Sequence, residues 1–316
     1  MPRTTPEPEP LSHVARPVTI IKAPRLSARL GLDIIIASET FQLTGSFKFR
    51  AAYNLAAKVK EKMLITASSG NFGQALSYAC ALLGKECLVV MPDNSASVKI
   101  EAVREFGGTV FLVDTRLKSR AQATAELSEQ HPQAYVASAY DDPLVIEGNA
   151  SLGRELAAMT PAPEVIVSPI GGGGLSSGII SGLTSAGCLN RPHVTGAEPA
   201  IANDAARSLK AQVIVENESE PQTIADGART LSLGKNNWQI LKEGLAGIVE
   251  VPEHHIEGAV RLLFNLANLK AEPTGALSLG AVLTSPGLFA GRRICCVVSG
   301  GNVDLKLLKR ILLPDG

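Results

Sequence analysis

Short apolar runs alternate with longer amphipathic stretches from about residue 63 onward, and this alternation restricts the fold more than any other property of the sequence. The runs at 63–67, 87–91, 109–113, 134–137, 164–168, 193–197, 247–251 and 293–299 read as strands. Between them, 71–83, 97–106, 120–130, 175–184, 253–268 and 275–285 carry apolar residues at helical spacing. Gly84, Gly107-Gly108 and Gly187 stand where those helices should stop. A strand, a helix and a second strand in succession force a crossover connection, so the strands lie parallel and both faces of the sheet are covered. The expected fold is α/β, with two open, mostly parallel twisted sheets and helices on both faces. The units between 63 and 137 are compact enough for a sheet of their own. The expected division is a disordered tail at 1–10, a large unit of 11–54 with 141–316, and a small unit of 55–140.

Composition removes several classes of function. The 316-residue chain has zero formal net charge and no basic block, so no nucleic-acid partner is expected. No apolar stretch reaches the length of a membrane span, and the proline- and acid-rich start lacks the apolar core of a signal peptide. Cys80, Cys87, Cys188, Cys295 and Cys296 are odd in number and show no CxxC spacing. They read as buried, reduced thiols of a cytoplasmic protein.

Active sites of parallel sheets lie at the carboxyl ends of strands. Four segments stand out. Gly171-Gly172-Gly173-Gly174 separates the strand ending near 170 from a helix starting at Leu175. Glycines there let backbone N–H groups approach an anion, and the helix start adds its positive end. A dinucleotide fingerprint fails in every register, because Ser176, Ser177 or Leu175 falls where glycine is required. A nucleotide P-loop fails because Gly178 is followed by Ile179. A single phosphate remains, against the plainer reading of a tight turn. Lys48, between Phe47 and Phe49, has the apolar flanks that would depress an amine pKa, against the plainer reading of a surface lysine. Ser68-Ser69-Gly70-Asn71 opens a helix after a strand and suits a substrate α-carboxylate, against an ordinary helix cap by Ser69 or Asn71. Ser299, ahead of Gly300-Gly301, ends a strand and can hydrogen-bond a ring nitrogen; a plain strand-to-helix turn is the alternative. Together these are the parts that hold pyridoxal 5′-phosphate and use it on an amino acid.

With those residues in hand, the chain resembles the fold-type II, tryptophan synthase β-like pyridoxal-phosphate enzymes, and within them the serine/threonine dehydratase and serine racemase branch. The resemblance covers roughly 11–312. It rests on Gly45-Ser46-Phe47-Lys48-Phe49-Arg50, on 68–74, on Tyr140-Asp141-Asp142-Pro143, on 171–175, on Thr223-Ile224-Ala225-Asp226-Gly227, on Glu272-Pro273-Thr274-Gly275-Ala276 and on Ser299-Gly300-Gly301-Asn302-Val303-Asp304. It implies that Lys48 carries the cofactor as an imine and shuttles the α-proton. Phe47, Gly227, Glu272 and Gly300 would border the cofactor, Asn71 would meet the ring 3′-oxygen, and Ser299 the ring nitrogen. Gly171 to Gly174 and the N–H of Leu175 would hold the phosphate. Ser68, Ser69, Gly70 and Asn71 would receive the substrate carboxylate, with Ser69 as a second acid/base on the face opposite Lys48. Glu198, the Ala202 carbonyl and Asp204 match a loop that binds Mg²⁺, Ca²⁺ or Mn²⁺ in the racemase branch; the plainer reading is a solvated acidic helix start.

Three departures stand against the family pattern: Phe72 for a histidine, Ala51 for a glycine, and Glu147-Gly148-Asn149-Ala150-Ser151 for a more usual Ala-Gly-Gln-Gly-Thr. Phe72 is expected to add an apolar wall on the substrate side. The implied activity is dehydration and deamination of a β-hydroxy-α-amino acid such as L-threonine or L-serine, or a bulkier analogue. A racemase is the alternative, and a catalytically silent cofactor-binding protein the remote one. A homodimer is expected, with no regulatory domain after Pro314.

Overall fold

A computed structural model describes residues 8–68, 70–95, 97–187 and 191–313. Ten strands form two sheets: β1 (Thr19–Lys22), β2 (Asp33–Ser38), β3 (Met63–Ala67), β4 (Glu86–Pro92), β5 (Thr109–Val113), β6 (Tyr135–Val136), β7 (Val165–Pro169), β8 (His193–Pro199), β9 (Leu245–Val251) and β10 (Arg293–Val298). The six-stranded sheet runs β1-β2-β10-β7-β8-β9 and the four-stranded one β5-β4-β3-β6. Among the strands of the described residues, only the edge strand β1 pairs antiparallel, with β2. The expected α/β class with two mostly parallel sheets is what forms. The strand expected at 134–137 shrinks to Tyr135–Val136, because it sits at a sheet edge and pairs with β3 over two positions.

The strands of the larger sheet are buried on both faces. Ile294, Cys296 and Val298 of β10 join one apolar cluster with Ile256 and Leu277 of the helices Glu253–Ala267 and Pro273–Thr284. Cys295 and Val297, one residue out of phase, join another with Leu152 and Ile179 of the helices Pro143–Ala157 and Gly174–Ser185. That period of two is why an unbroken apolar run makes a central parallel strand. Cys80, Cys87, Cys295 and Cys296 are free and buried, while Cys188 lies outside the described residues. Burial pushes the Cys295 thiol up to about 12. In the smaller sheet, Leu64, Val89 and Met91 face one cluster, and Ile65, Leu88 and Val90 face another.

The helix Lys48–Lys58 packs Phe49, Ala52 and Leu55 into the cluster around β3 and β4, so the expected boundary at 54/55 falls inside an element that belongs to both sheets' surroundings. Three helices then meet backbone to backbone. A Cβ on Gly148 would lie 2.5 Å from the Arg50 carbonyl oxygen, one on Gly178 2.3 Å from Asn149 Cβ, and one on Gly182 2.2 Å from the Ala150 carbonyl oxygen. Helix Lys48–Lys58 thus seats on Pro143–Ala157, which seats on Gly174–Ser185. Arg50 locks the first of these joints. Its guanidinium, 1 % exposed, bonds Glu39 at 2.7 Å and Glu155 at 2.6 Å. At the chain start, the Tyr53 hydroxyl donates to the Glu9 carbonyl at 2.9 Å, which ties down the last part of the expected tail. Residues 1–7 lie outside the described ones. Among the described residues, no helix is long and apolar enough to cross a membrane.

Candidate active site

The carboxyl ends of β3, β7 and β10 bring the expected segments to one place. Residues 45–47 run beside 299–301: Phe47 N–H donates to the Ser299 carbonyl at 3.0 Å, Gly301 N–H donates to the Gly45 carbonyl at 3.0 Å, and Ser46 bridges Gly300. That short antiparallel contact sets Lys48, the first residue of its helix, beside Ser299 at the end of β10. The half-buried Lys48 Nζ donates to the Ala139 carbonyl at 2.7 Å and lies 5.0 Å from the Phe47 ring centroid and 5.7 Å from that of Phe72. Burial lowers its pKa to about 8, and the Glu272 carboxylate opposes the shift. This is the amine that the flanking phenylalanines lead one to expect.

Phe72 itself departs from expectation. It is 1 % exposed and packs with Phe49, Ala75 and Leu76, so it offers no open wall to a substrate. Its ring shields the Lys48 amine from water instead.

Glu272 is the buried acid of the site. Its Oε1 accepts from Asn71 Nδ2 at 2.7 Å, and Asn302 Nδ2 donates to Asn71 Oδ1 at 2.8 Å. Burial, then the charge of Asp226, raise its pKa to about 8; the Asn71 bond and Lys99 work against them. Gly300 holds its place because a Cβ there would lie 2.6 Å from Glu272 Oε1. Asp226 is salt-bridged to Lys99 from the helix Ser97–Glu105, across the gap between the two sheets. Arg120 and Glu220 make a second such pair at 3.1 Å. Gly227 N–H is bonded to Thr274 Oγ1 at 2.9 Å, and the Gly227 carbonyl oxygen borders Gly171.

The glycine turn follows β7. Gly173 has φ +94°, which glycine adopts without strain, and the helix Gly174–Ser185 begins there with no acidic residue in its first turn. A Cβ on Gly172 would lie 2.2 Å from the Tyr140 ring. The turn therefore accepts glycine alone and keeps its backbone bare, which is the form of a cradle for a phosphate. These residues fit pyridoxal 5′-phosphate: a bare helix start for the phosphate, a depressed amine for the aldehyde, and a strand-end hydroxyl for the ring.

After β3, Ser68 Oγ accepts from Gly70 N–H at 3.3 Å and Gly73 N–H at 3.1 Å, so Ser68 caps the helix Asn71–Leu82. The sequence offers Ser69 or Asn71 for that task; Ser69 lies outside the described residues. Space around Gly70 is open on the side a Cβ would take, where a carboxylate could sit.

The expected cation loop is well separated in character. Glu198 and Asp204 are each 1 % exposed, so a solvated helix start does not describe them. Glu198 Oε1 and Oε2 accept from the N–H groups of Ala205 and Ala206 at 2.8 and 2.9 Å. Asp204 Oδ1 accepts from Asn217 Nδ2 at 2.8 Å, while its Oδ2 is buried without a hydrogen-bond partner. Burial, then Asp204, raise the Glu198 pKa well above the usual carboxylate range, and burial raises Asp204 to about 7. Ala202 closes the short turn Ala200–Ala202 between them. Among the described residues, no group of three or more His, Cys, Asp or Glu side chains is placed to hold a metal.

Sequence reasoning misses Tyr140, Asp141, Asn149 and Asn237 as parts of the cradle wall. Each acts across a long stretch of chain: Tyr140 and Asp141 are visible only as part of a family motif, and Asn149 only as a departure.

Comparison with known proteins agrees with this geometry. The L-threo-3-hydroxyaspartate ammonia-lyase of Pseudomonas sp is 33% identical over 310 residues, covering 96% of this chain and 95% of that protein. The serine racemase of Dictyostelium discoideum is 35% identical over 291 residues, covering 89% of this chain and 88% of that protein. The crystal structure of a threonine deaminase from T.th. superposes with a TM-score of 0.86 at 36% identity, covering 93% of this chain and 96% of that one. The sequence profile described as pyridoxal-phosphate dependent enzyme matches residues 11–300. A lysine, a bare glycine turn and a strand-end serine that converge in this way, on a fold shared along nearly the whole chain, make it a member of that family, in its ammonia-lyase and racemase group.

Proposed function

We propose that the chain eliminates water from a β-hydroxy-α-amino acid such as L-threonine or L-serine, or a bulkier analogue, and that the resulting enamine, after tautomerising to an imine, takes up water again and releases ammonia, to give a 2-oxo acid. The observation that carries this reading is the Lys48 amine, shielded by two phenyl rings and with its pKa lowered to about 8. At pH 7 roughly a tenth of it is neutral, against well under a thousandth for an ordinary lysine. When bound, pyridoxal 5′-phosphate supplies an aldehyde that takes up amines and a ring that draws electrons from the α-carbon. Lys48 Nζ would then take the proton from the substrate α-carbon, and the electron pair left behind would form the Cα=Cβ bond as the β-hydroxyl, gaining a proton, leaves as water. Gly171 to Gly174 and Leu175 anchor and orient the phosphate. Ser299 offers the ring nitrogen a hydroxyl where an acid would protonate it, which favours elimination over amino-group exchange. Asn71, tied to Glu272 and Asn302, sets the ring's 3′-oxygen side. The helix start at 68–71 receives the substrate carboxylate.

Among β-hydroxy amino acids, an acidic one has a partner here. Lys99, bound to Asp226 beside Gly227, could pass to a substrate side-chain carboxylate. The Pseudomonas relative acts, by its name, on 3-hydroxyaspartate. We also propose that the Glu198, Ala202 and Asp204 loop takes Mg²⁺, Ca²⁺ or Mn²⁺. The unpartnered Asp204 Oδ2 supports this. The two sheets are proposed to belong to units 11–54 with 141–316 and 55–140, closed on each other by Lys99–Asp226 and Arg120–Glu220.

The test is keto-acid release from L- and D-serine, L- and D-threonine and L-threo-3-hydroxyaspartate. Release from at least one L-substrate, lost in Lys48→Ala, supports the reading. Exchange of enantiomers without keto acid would replace it by a racemase, for which Ser69 would be the second proton carrier.

A further inference from the structure

Two buried asparagines flank the glycine turn and use their amides in the same way. Asn149 Nδ2, from the helix Pro143–Ala157, donates to the Gly174 carbonyl at 3.0 Å. Asn237 Nδ2, from the helix Lys235–Gly244, donates to the Gly172 carbonyl at 2.8 Å and the Tyr140 carbonyl at 3.0 Å. Gly234 N–H adds a second bond to the Gly172 carbonyl at 3.1 Å. Both asparagines are at most 1 % exposed, and both amide oxygens, Asn149 Oδ1 and Asn237 Oδ1, are buried without a hydrogen-bond partner. Folded proteins seldom leave such an acceptor unmade, and here it happens on both sides of one turn. Flipping either amide would satisfy nothing, because an oxygen would then face a carbonyl oxygen.

The geometry of the peptide unit gives these bonds a purpose. The C=O of one residue and the N–H of the next lie in one plane and point in opposite directions. Drawing the Gly172 and Gly174 carbonyls into the protein therefore turns the N–H groups of Gly173 and Leu175 the other way. Asp141 fixes where Asn237 stands: its carboxylate accepts from the N–H groups of Lys235 and Asn236 at 3.0 and 2.9 Å and so holds the start of that helix.

We propose that Asn149 and Asn237 are positioning residues that hold the two peptide planes with their N–H groups toward the cofactor phosphate, so that the cradle is formed before the cofactor arrives. The proposal rests on the family assignment, and its test reads the phosphate rather than turnover. The full-length chain is stripped of cofactor and titrated with pyridoxal 5′-phosphate, with pyridoxal, which lacks the phosphate, and with inorganic phosphate. Asn149→Ala and Asn237→Ala should weaken pyridoxal 5′-phosphate about 10-fold or more and inorganic phosphate in parallel. Pyridoxal should change by no more than about twofold. Asn237→Asp keeps the side-chain shape and replaces the donor by an acceptor, and should lose as much. Asn237→Ser keeps a donor and should recover part of the loss, which decides the matter if an alanine variant does not fold. Equal weakening for pyridoxal and pyridoxal 5′-phosphate, or no weakening of either, overturns the proposal. Failure of the wild-type chain to bind pyridoxal 5′-phosphate would overturn the functional reading along with it.

Discussion

The helices after β7 and β8 start at the same edge of one sheet, on neighbouring parallel strands, and their first turns are used in opposite ways. After β7, no acid stands in the first turn, and asparagines draw the carbonyls back. The positive end of that helix is left open. After β8, the chain supplies its own acceptor: Glu198 takes the N–H groups of Ala205 and Ala206, and Asp204 sits in the first turn. A helix start is therefore a ligand site only where the sequence withholds its own acceptor. Equal topology gives one cradle and one internally capped helix, and the difference lies in a few side chains.

The largest expected effect separates the cradle from the amine beside it. Lys48→Ala should cut turnover about 10²–10⁴-fold, since that is what a positioned proton carrier contributes. Pyridoxal 5′-phosphate should still bind through its phosphate, and borohydride should no longer fix it to the protein. Retention of turnover, or loss of all phosphate binding, would mean that the two parts are not independent.

Filling the cradle comes next. Gly172→Ala drives a methyl into the Tyr140 ring and should weaken cofactor binding about 10- to 100-fold by overpacking. Gly70→Ala, with open space at the same position, is the control and should leave cofactor affinity near wild type. Similar losses in both variants would remove the phosphate from 171–175.

On the β8 side, Glu198→Gln leaves one of two helix N–H groups without its carboxylate oxygen and should cost about 1–3 kcal/mol in thermal or denaturant unfolding. The same loop tells a cation from a cap. A bound cation at about 100 times its Kd would add roughly 2.7 kcal/mol to the wild type. It would add nothing to the variant. If EDTA and added Mg²⁺, Mn²⁺ or Ca²⁺ leave melting unchanged, Glu198 is a helix cap and nothing more.

The smallest effect is a pH dependence. The neutral Lys48 amine must attack the cofactor aldehyde, and its pKa is lowered to about 8. Cofactor capture by the stripped chain should therefore rise about 10-fold from pH 7 to 9 and level off above, following the neutral fraction. A rise that continues to pH 10 or beyond would mark an exposed lysine.

What the sequence reveals follows the range of the forces involved. Strands from β3 onward and the helices starting near 71, 97, 120, 175, 253 and 275 come from local periodicity and are legible to within a few residues, whereas Pro143–Ala157, Asp204–Ala211 and Lys235–Gly244 are not in that reading. β1 and β2 are not, because β1 is a four-residue antiparallel edge strand and no crossover helix pattern announces the pair. Lys48, the glycine turn and Ser299 are legible because each lies at a strand or helix end with its own composition. Their meeting depends on the contact of 45–47 with 299–301, which no local pattern encodes. Phe72 misleads for the same reason. Its residue type is plain, but its burial in the cluster that also holds Phe49 and Ala75 is set by tertiary packing. Asn149, Asn237 and Asp141 act on partners far along the chain, so Asp141 stands out only as part of the 140–143 motif, Asn149 only as an irregularity, and Asn237 not at all.

The glycine joints between Lys48–Lys58, Pro143–Ala157 and Gly174–Ser185 bear on how such a protein can diverge. One end of that stack carries the amine and the other the phosphate turn, and neither joint has room for a methyl group at Gly148, Gly178 or Gly182. The spacing between amine and turn is thus held by bare backbone, like a gauge block, and drift at these positions is closed off. New substrate preferences have to be written elsewhere, on the four-stranded side, where Lys99, Gly70 and the helix start at Asn71 can change without altering that spacing.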